Sequence, residues 1–236
     1  MNLNNRKDVV FLVLAGFFIT NAIVAELIGG KLVMFFGTFT QSVGIVLWPV
    51  VFILTDIVNE FYGQSGVKKL SYITLCLIAF TFLYLFVCIQ IPATTFSPVS
   101  DESFKKVFGQ SMYIIFGSMI AFLVSQLVDS GIFWMLRNRT GKKMIWLRST
   151  GSTVVSQLVD TFIVQFIAFV IPGWWTMEEF LHNASYGYAF KLLVAIAVIP
   201  LIYLVHYLID RYLGDEISHD MIKHTAEVNL HHKIEE

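Results

Sequence analysis

Six runs of predominantly apolar residues, each close to the length a bilayer demands, constrain this chain more than any other feature. A hydrocarbon core of about 30 Å needs about 20 apolar residues in a helix. Val9–Ile28, Gly44–Phe61, Leu70–Ile91, Met112–Leu136, Ser152–Ile171 and Tyr186–Ile209 meet that length. Of the 236 residues, 56% are apolar and only 14% charged, whereas about a quarter of an average soluble domain is charged. Disorder, which needs low hydrophobicity and high net charge, is excluded. A net charge of -1 gives no electrostatic footprint for direct nucleic-acid binding. The expected fold class is an all-α membrane protein, a six-transmembrane-helix bundle whose partner is the lipid bilayer.

Between the first and second runs, residues 31–43 are too polar and too short to span. An interrupted piece is expected there, re-entrant or extended, its backbone satisfied by protein or water. Residues 1–213 form the expected transmembrane domain and residues 214–236 a polar, solvated cytoplasmic tail, in which Asp220, His224 and the His231-His232 pair read as solvated rather than as metal ligands. With both termini cytoplasmic, twelve basic residues fall inside (Arg6, Lys7, Lys68, Lys69, Arg137, Arg139, Lys142, Lys143, Arg148, Arg211, Lys223 and Lys233). Four fall outside: Lys31, Lys105, Lys106 and Lys191. That asymmetry predicts the N-in, C-in orientation. Cys76 and Cys88 share one apolar run and read as buried thiols, too far apart on a helix for a bridge.

Carboxylates inside apolar spans cost about 2.5–3.5 kcal/mol each and face the bundle interior or a wet cavity. Glu26, Asp56, Glu60, Asp129 and Asp160 are the candidates, accompanied by Asn59, Gln126 and Gln157. Asp56, Asn59 and Glu60 share one helical face at i, i+3, i+4. Residues 124–130, Val-Ser-Gln-Leu-Val-Asp-Ser, recur as Val-Ser-Gln-Leu-Val-Asp-Thr 31 residues later, on the next span and therefore antiparallel. Two neighbouring helices thus each present a Ser, Gln, Asp stripe, and a third presents Asp, Asn, Glu. Structural glue between helices explains the serines and glutamines about as well as function does; it explains the aspartates less well. For Trp48, Trp134, Trp146, Trp174 and Trp175, anchoring at the membrane interface is the default reading.

No G-x-x-x-x-G-K-[ST] loop and no H-E-x-x-H pair occur, so no nucleotide-hydrolysing or zinc-protease signature, and no cofactor motif, is present. An intramembrane aspartyl protease built on Asp129 and Asp160 lacks a Gly-flanked aspartate and leaves the glutamine repeat unexplained. The residues by themselves describe a transporter-like bundle with an acidic, amide-lined interior, not an enzyme.

The runs Ala25-Glu26-Leu27-Ile28-Gly29-Gly30-Lys31 and Trp48-Pro49, the segment Thr55-Asp56-Ile57-Val58-Asn59-Glu60-Phe61-Tyr62-Gly63, and the doubled Ser-Gln-Leu-Val-Asp resemble the YhhQ/VUT family of bacterial queuosine precursor transporters. The resemblance covers about residues 9 to 212. It implies import across the inner membrane of 7-cyano-7-deazaguanine, with the 7-aminomethyl base as a further cargo, for salvage into tRNA queuosine. On that expectation Asp129 and Asp160, oriented by Gln126 and Gln157, contact the base. Asp56, Asn59 and Glu60 form a third wall or a cytoplasmic gate, and Glu26 joins the same substrate-binding set. A facilitated or proton-coupled carrier is the leading form; the alternative is the substrate-binding membrane subunit of an ATP-driven vitamin or nucleobase importer. Both forms are compatible with a monomer or a homo-oligomer.

Overall fold

The computed structural model describes residues 5–109, 112–140 and 144–232. Lys142, Lys143 and Lys233 of the basic set, and the side chains of His231 and His232, lie outside the described residues. Helix α1 (Arg6–Leu27) starts where the Asn5 side chain accepts from the Lys7 amide. It buries a narrow stripe at Val10, Leu14, Phe18, Ala22 and Ala25, while Leu12, Val13 and Phe17 on its other side are exposed. A helix apolar all round with only one stripe covered by protein is suited to lipid on the remainder. The stripe ends in a buried Glu26.

The expected interruption is an extended one. Strands β1 (Leu32–Phe35) and β2 (Phe39–Ser42) pair as an antiparallel hairpin in the register Leu32↔Ser42 to Phe35↔Phe39. A single turn of 3-10 helix over Val43–Val46 leads into α2 (Trp48–Gln90). One edge amide of the hairpin is met by protein: the Thr40 N–H donates to Asn183 Oδ1 at 2.9 Å. Its aromatic face packs on the helix opposite, with Phe39 stacked on Tyr186 and Phe35 against Phe190.

Pro49 sits in the first turn of α2, where its missing N–H costs nothing. All residues from Val51 to Phe61 are buried, so this half of α2 is the central column of the bundle. At 43 residues an unbroken α2 would be about 65 Å long, twice the hydrocarbon thickness. Gly63 breaks it, at φ 72° and ψ -177°, a conformation open essentially to glycine alone. Gly63→Ala is expected to destabilise the protein by about 1–3 kcal/mol. Thermal unfolding of the purified variant checks this, and a melting curve matching the wild type would refute it.

After a short exposed helix α3 (Asp101–Phe108), α4 (Met112–Thr140) and α5 (Ile145–Gln165) form an antiparallel pair. Its registry follows the repeat: Gly117 of α4 lies against Ile167 just beyond α5, and Gly151 of α5 against Leu136 of α4. Beyond Gln165 one wide π turn, Phe166–Val170, continues the helix, with the Ile171 N–H donating to Phe166 O. Helices α6 (Met177–Ala197) and α7 (Ile199–Leu213) are bent by 43° at Val198, ahead of Pro200. Pro200 lacks the N–H that would bond the Ile196 carbonyl and its ring crowds that carbonyl, so one straight helix cannot run through this turn. The expected last span is thus a broken one.

Among the described residues four helices are long and apolar enough to cross a membrane, and five if the bent pair is one span. The sequence counts six because it separates Gly44–Phe61 from Leu70–Ile91, which the structure joins as α2 on either side of Gly63. The bundle is helical as expected. The segment after Gly214 is solvated only in part: α8 (Asp215–His232) buries Ser218, Met221 and Ile222 against α2 and α7, while Asp220 and His224 are exposed. Cys76 is exposed and Cys88 half-buried, both on apolar surface rather than in the core.

Candidate functional site

The spans converge on three polar levels. At the hairpin end a cleft of about 80 Å³ opens between α1, β2, α4, α5 and α6. Glu26 from the end of α1, Gln41 from β2, Asp160 and Gln165 from α5, Ser118 from α4 and Lys191 from α6 bring polar groups to it. Trp48, Phe169 and Trp175 supply aromatic walls, and the last two rings stack at 4.2 Å. Ser118 Oγ donates to Glu26 Oε2 at 2.6 Å. Lys191 Nζ donates to Asp160 Oδ2 at 2.7 Å, an ion pair in which both side chains are almost wholly buried. Gln165 Nε2 donates to Gln41 Oε1 at 3.2 Å, and Gln41 Nε2 donates to Asn183 O at 2.8 Å. The π turn beside Gln165 follows a pattern common at functional sites, where one widened turn re-aims side chains. Gln165 Oε1 is buried without a hydrogen-bond partner.

The middle level is where the repeat meets itself. Ser125 of α4 donates to Asp160 of α5 at 3.4 Å, and Ser156 of α5 donates to Asp129 of α4 at 2.8 Å. The two copies are therefore related by a local twofold axis across the antiparallel pair, one turn apart. The twofold splits the aspartates, so only Asp160 reaches the cleft. Asp129 lies with Asp56 on the closed side, where Ser149 Oγ hydrogen-bonds Asp56 Oδ2. The serines of the facing helix, not Gln126 and Gln157, hold the aspartates. Gln126 instead accepts from Thr55 at 2.8 Å, and neither amide atom of Gln157 has a partner. Asn59 Oδ1 accepts from the Trp134 indole at 2.8 Å and from Ser130.

The third level closes the opposite end. Glu60 Oε2 lies 2.9 Å from Arg148 Nη2 and 3.7 Å from Arg137 Nη1, with all three side chains buried. Arg137 also donates to the carbonyls of Glu60 and, at 2.8 Å, of Ile222 on α8. Thr225 Oγ1 donates to Phe61 O nearby.

Of the eight expected site residues, Glu26 and Asp160 line the cleft; Asp129, Gln126, Gln157, Asp56 and Asn59 fill the packed core; Glu60 belongs to the closing layer. Sequence reasoning missed Lys191, which it placed outside the membrane. A lone lysine within the last apolar run was the available signal, since such a charge needs a buried partner. It also missed Gln41 and Gln165, and it took Arg137 and Arg148 for loop charges. Among the tryptophans, Trp48 and Trp175 line the cleft and Trp134 is a buried donor; Trp146 and Trp174 are exposed at helix ends, as anchors would be.

Gly187 of α6 makes room for Gln41, since a Cβ there would collide with the Gln41 amide. Because that amide ends a flexible side chain, Gly187→Ala is expected to leave the fold intact and push Gln41 out of register with Gln165. A several-fold loss of cargo affinity, read by titration of the purified protein, is the expected result; unchanged affinity would refute it.

The family described as "Putative vitamin uptake transporter" matches residues 42–205. A "Probable queuosine precursor transporter" of Bacillus subtilis (strain 168) is 33% identical over 175 residues, 73% of this chain and 74% of that protein. The "Queuosine precursor transporter" of Escherichia coli (strain K12) is 25% identical over 170 residues, 67% of this chain and 69% of that protein. No solved structure matches the chain. The apolar helices, the polar cleft between them and the match across most of the span region together place this chain in the vitamin uptake transporter family of multi-pass membrane transporters.

Proposed function

We propose that this protein imports queuosine precursors, chiefly 7-cyano-7-deazaguanine, across the bacterial inner membrane, with the hairpin-end cleft as the outward-facing cargo site. The observation that carries this reading is the cleft's combination of Glu26 and Asp160 with Gln41, Gln165 and Lys191 between aromatic walls. A 7-deazaguanine presents adjacent N–H donors on its pairing edge, which one carboxylate accepts together. Its carbonyl takes a donor from an amide or ammonium group, and its flat faces stack on indole and phenyl rings. The names of the relatives support the same cargo class.

The excess of basic residues at the far end of the bundle supports N-in, C-in orientation, which puts the hairpin outside. The cleft then opens outward while Glu60, Arg137, Arg148 and α8 seal the cytoplasmic side. Alternating access would break that seal and close the cleft. Cargo bound between helices near a repeat axis is a common transporter arrangement.

The test is restoration of tRNA queuosine in cells unable to make the precursor, supplied with nanomolar 7-cyano-7-deazaguanine and expressing this chain. Purified protein alone in liposomes should also take the base up, with no ATPase added. Restoration with direct binding, seen as quenching of Trp48 and Trp175 fluorescence, is the expected outcome. Membrane-inserted protein that neither restores the modification nor binds the base would defeat the assignment.

A further inference from the structure

Beyond Glu26, which lines the cleft beside Ser118, the buried acids of the spans fall into two kinds. Glu60 and Asp160 each hold a basic partner, Arg148 and Lys191. Asp56 and Asp129 hold none among the described residues, although both are buried, at 2% and 0% exposure. Both sit at the seam of α2 and α4, where Thr55 beside Asp56 donates to Gln126 one turn before Asp129, with α5 laid over it. Each carboxylate has one oxygen accepting a serine hydroxyl, Ser149 for Asp56 and Ser156 for Asp129. The other oxygens, Asp56 Oδ1 and Asp129 Oδ2, accept no hydrogen bond; Ser152 of α5 faces both carboxylates but donates to the Ser149 carbonyl.

Gln126 provides independent evidence. It is fully buried one turn before Asp129, and its Oε1 is tied to Thr55, the residue before Asp56. Its Nε2 is thereby held at the same seam, without a partner of its own. An open N–H donor at the seam suits a charged carboxylate rather than a second cation, and buried groups left open in this way call for a functional explanation.

The other charges facing the pair do not neutralise it. From α2 comes Glu60, whose charge is taken up by Arg148 of α5 and Arg137 of α4. Two carboxylates sharing a dry site cannot both be ionised without a cation between them. A sodium ion is commonly dehydrated by main-chain carbonyls where a helix unwinds. Here α2 up to Gly63, α4 and α5 are continuous through this level, so their carbonyls stay within the helices. A proton needs only one open carboxylate oxygen.

We propose that Asp56 and Asp129 form a proton-binding pair that couples transport to the proton gradient, separate from the cargo cleft at Glu26 and Asp160. One proton taken up from the outer side is held on one of the two carboxylates, leaving the pair with a single negative charge. It is released to water on the inner side when the Glu60 layer opens. No other bond is made or broken. The proposal rests on the precursor-transport reading, and the experiment separates the two.

The experiment uses the purified full chain in liposomes with radiolabelled 7-cyano-7-deazaguanine, under an inward gradient of one pH unit, an inward sodium gradient at equal pH, or neither. With one proton moved per neutral base, the wild type is expected to concentrate the base up to about tenfold under the pH gradient. Sodium alone should give no concentration. Asp56→Asn and Asp129→Asn should each reduce the pH-driven ratio to unity while retaining cargo binding and counterflow exchange, which also show that the variants are folded. Ser149→Ala, a milder change, should lower the ratio only in part. Either Asn variant still concentrating the base, or a wild type driven by sodium, overturns the proton pair. A wild type that exchanges the base without concentrating it does so too, and leaves the carrier reading standing. A wild type that fails to bind the base overturns the precursor reading and the coupling with it.

Discussion

Asp160→Asn is expected to lower precursor uptake at nanomolar supply by about ten- to a hundredfold while the protein still reaches the membrane. A hydrogen bond to a charged group is worth about 1.5–3 kcal/mol, and 1.4 kcal/mol is a factor of ten in affinity. Asp160 is the carboxylate at the cleft whose charge is fixed by a neighbour, Lys191 at 2.7 Å. On the proposed function, removing the charge has two effects: it deprives the base of its acceptor, and it leaves the Lys191 ammonium buried and unpaired. The double variant Asp160→Asn with Lys191→Met separates them, because it removes the orphaned cation. Its protein level should return to that of the wild type while uptake stays low. If uptake returns as well, Asp160 serves only to neutralise Lys191, and the cargo contact assigned to it is wrong.

Glu60→Gln is expected to cost about 3–5 kcal/mol of stability, the usual penalty for removing one partner of a buried ion pair. Here one carboxylate serves two guanidinium groups, Arg148 at 2.9 Å and Arg137 at 3.7 Å. Neutralising it leaves two cations in the interior, and loosens α8, which Arg137 holds through Ile222 O. Unfolding of the purified protein, followed by near-ultraviolet circular dichroism, should show a large fall in Tm. Glu60→Asp, which keeps the charge, should fall less. Replacing Glu60, Arg137 and Arg148 together by methionine should recover much of the lost stability, since apolar residues often substitute well for a whole buried ionic cluster. A Glu60→Gln protein as stable as the wild type would mean that the layer is solvated and does not seal this end.

The two variants probe opposite ends of one pathway. Asp160 acts where the bundle is open and Glu60 where it is shut. The paired ions at both levels keep charge inside the membrane without leaving it isolated. Between them, Asp56 and Asp129 hold no basic partner among the described residues.

Much of this was legible from the sequence. Apolar run length alone identified a helical membrane bundle, because hydrocarbon cannot satisfy backbone polar groups and forces them into helices. The rarity of charge in such runs singled out Glu26, Asp56, Glu60, Asp129 and Asp160, all of which are buried. The repeat of residues 124–130 foretold an antiparallel pair, and α4 and α5 form it. Helical spacing says which residues share a face, but not which neighbour that face meets. Ion pairs made across 31 residues, as from Lys191 to Asp160, or 88, as from Arg148 to Glu60, depend on the rotation and depth of each helix against the others. Only the packing of all the spans at once sets those, and tertiary structure therefore decided which acids line the cleft, which seal the far end and which stand unpaired between them.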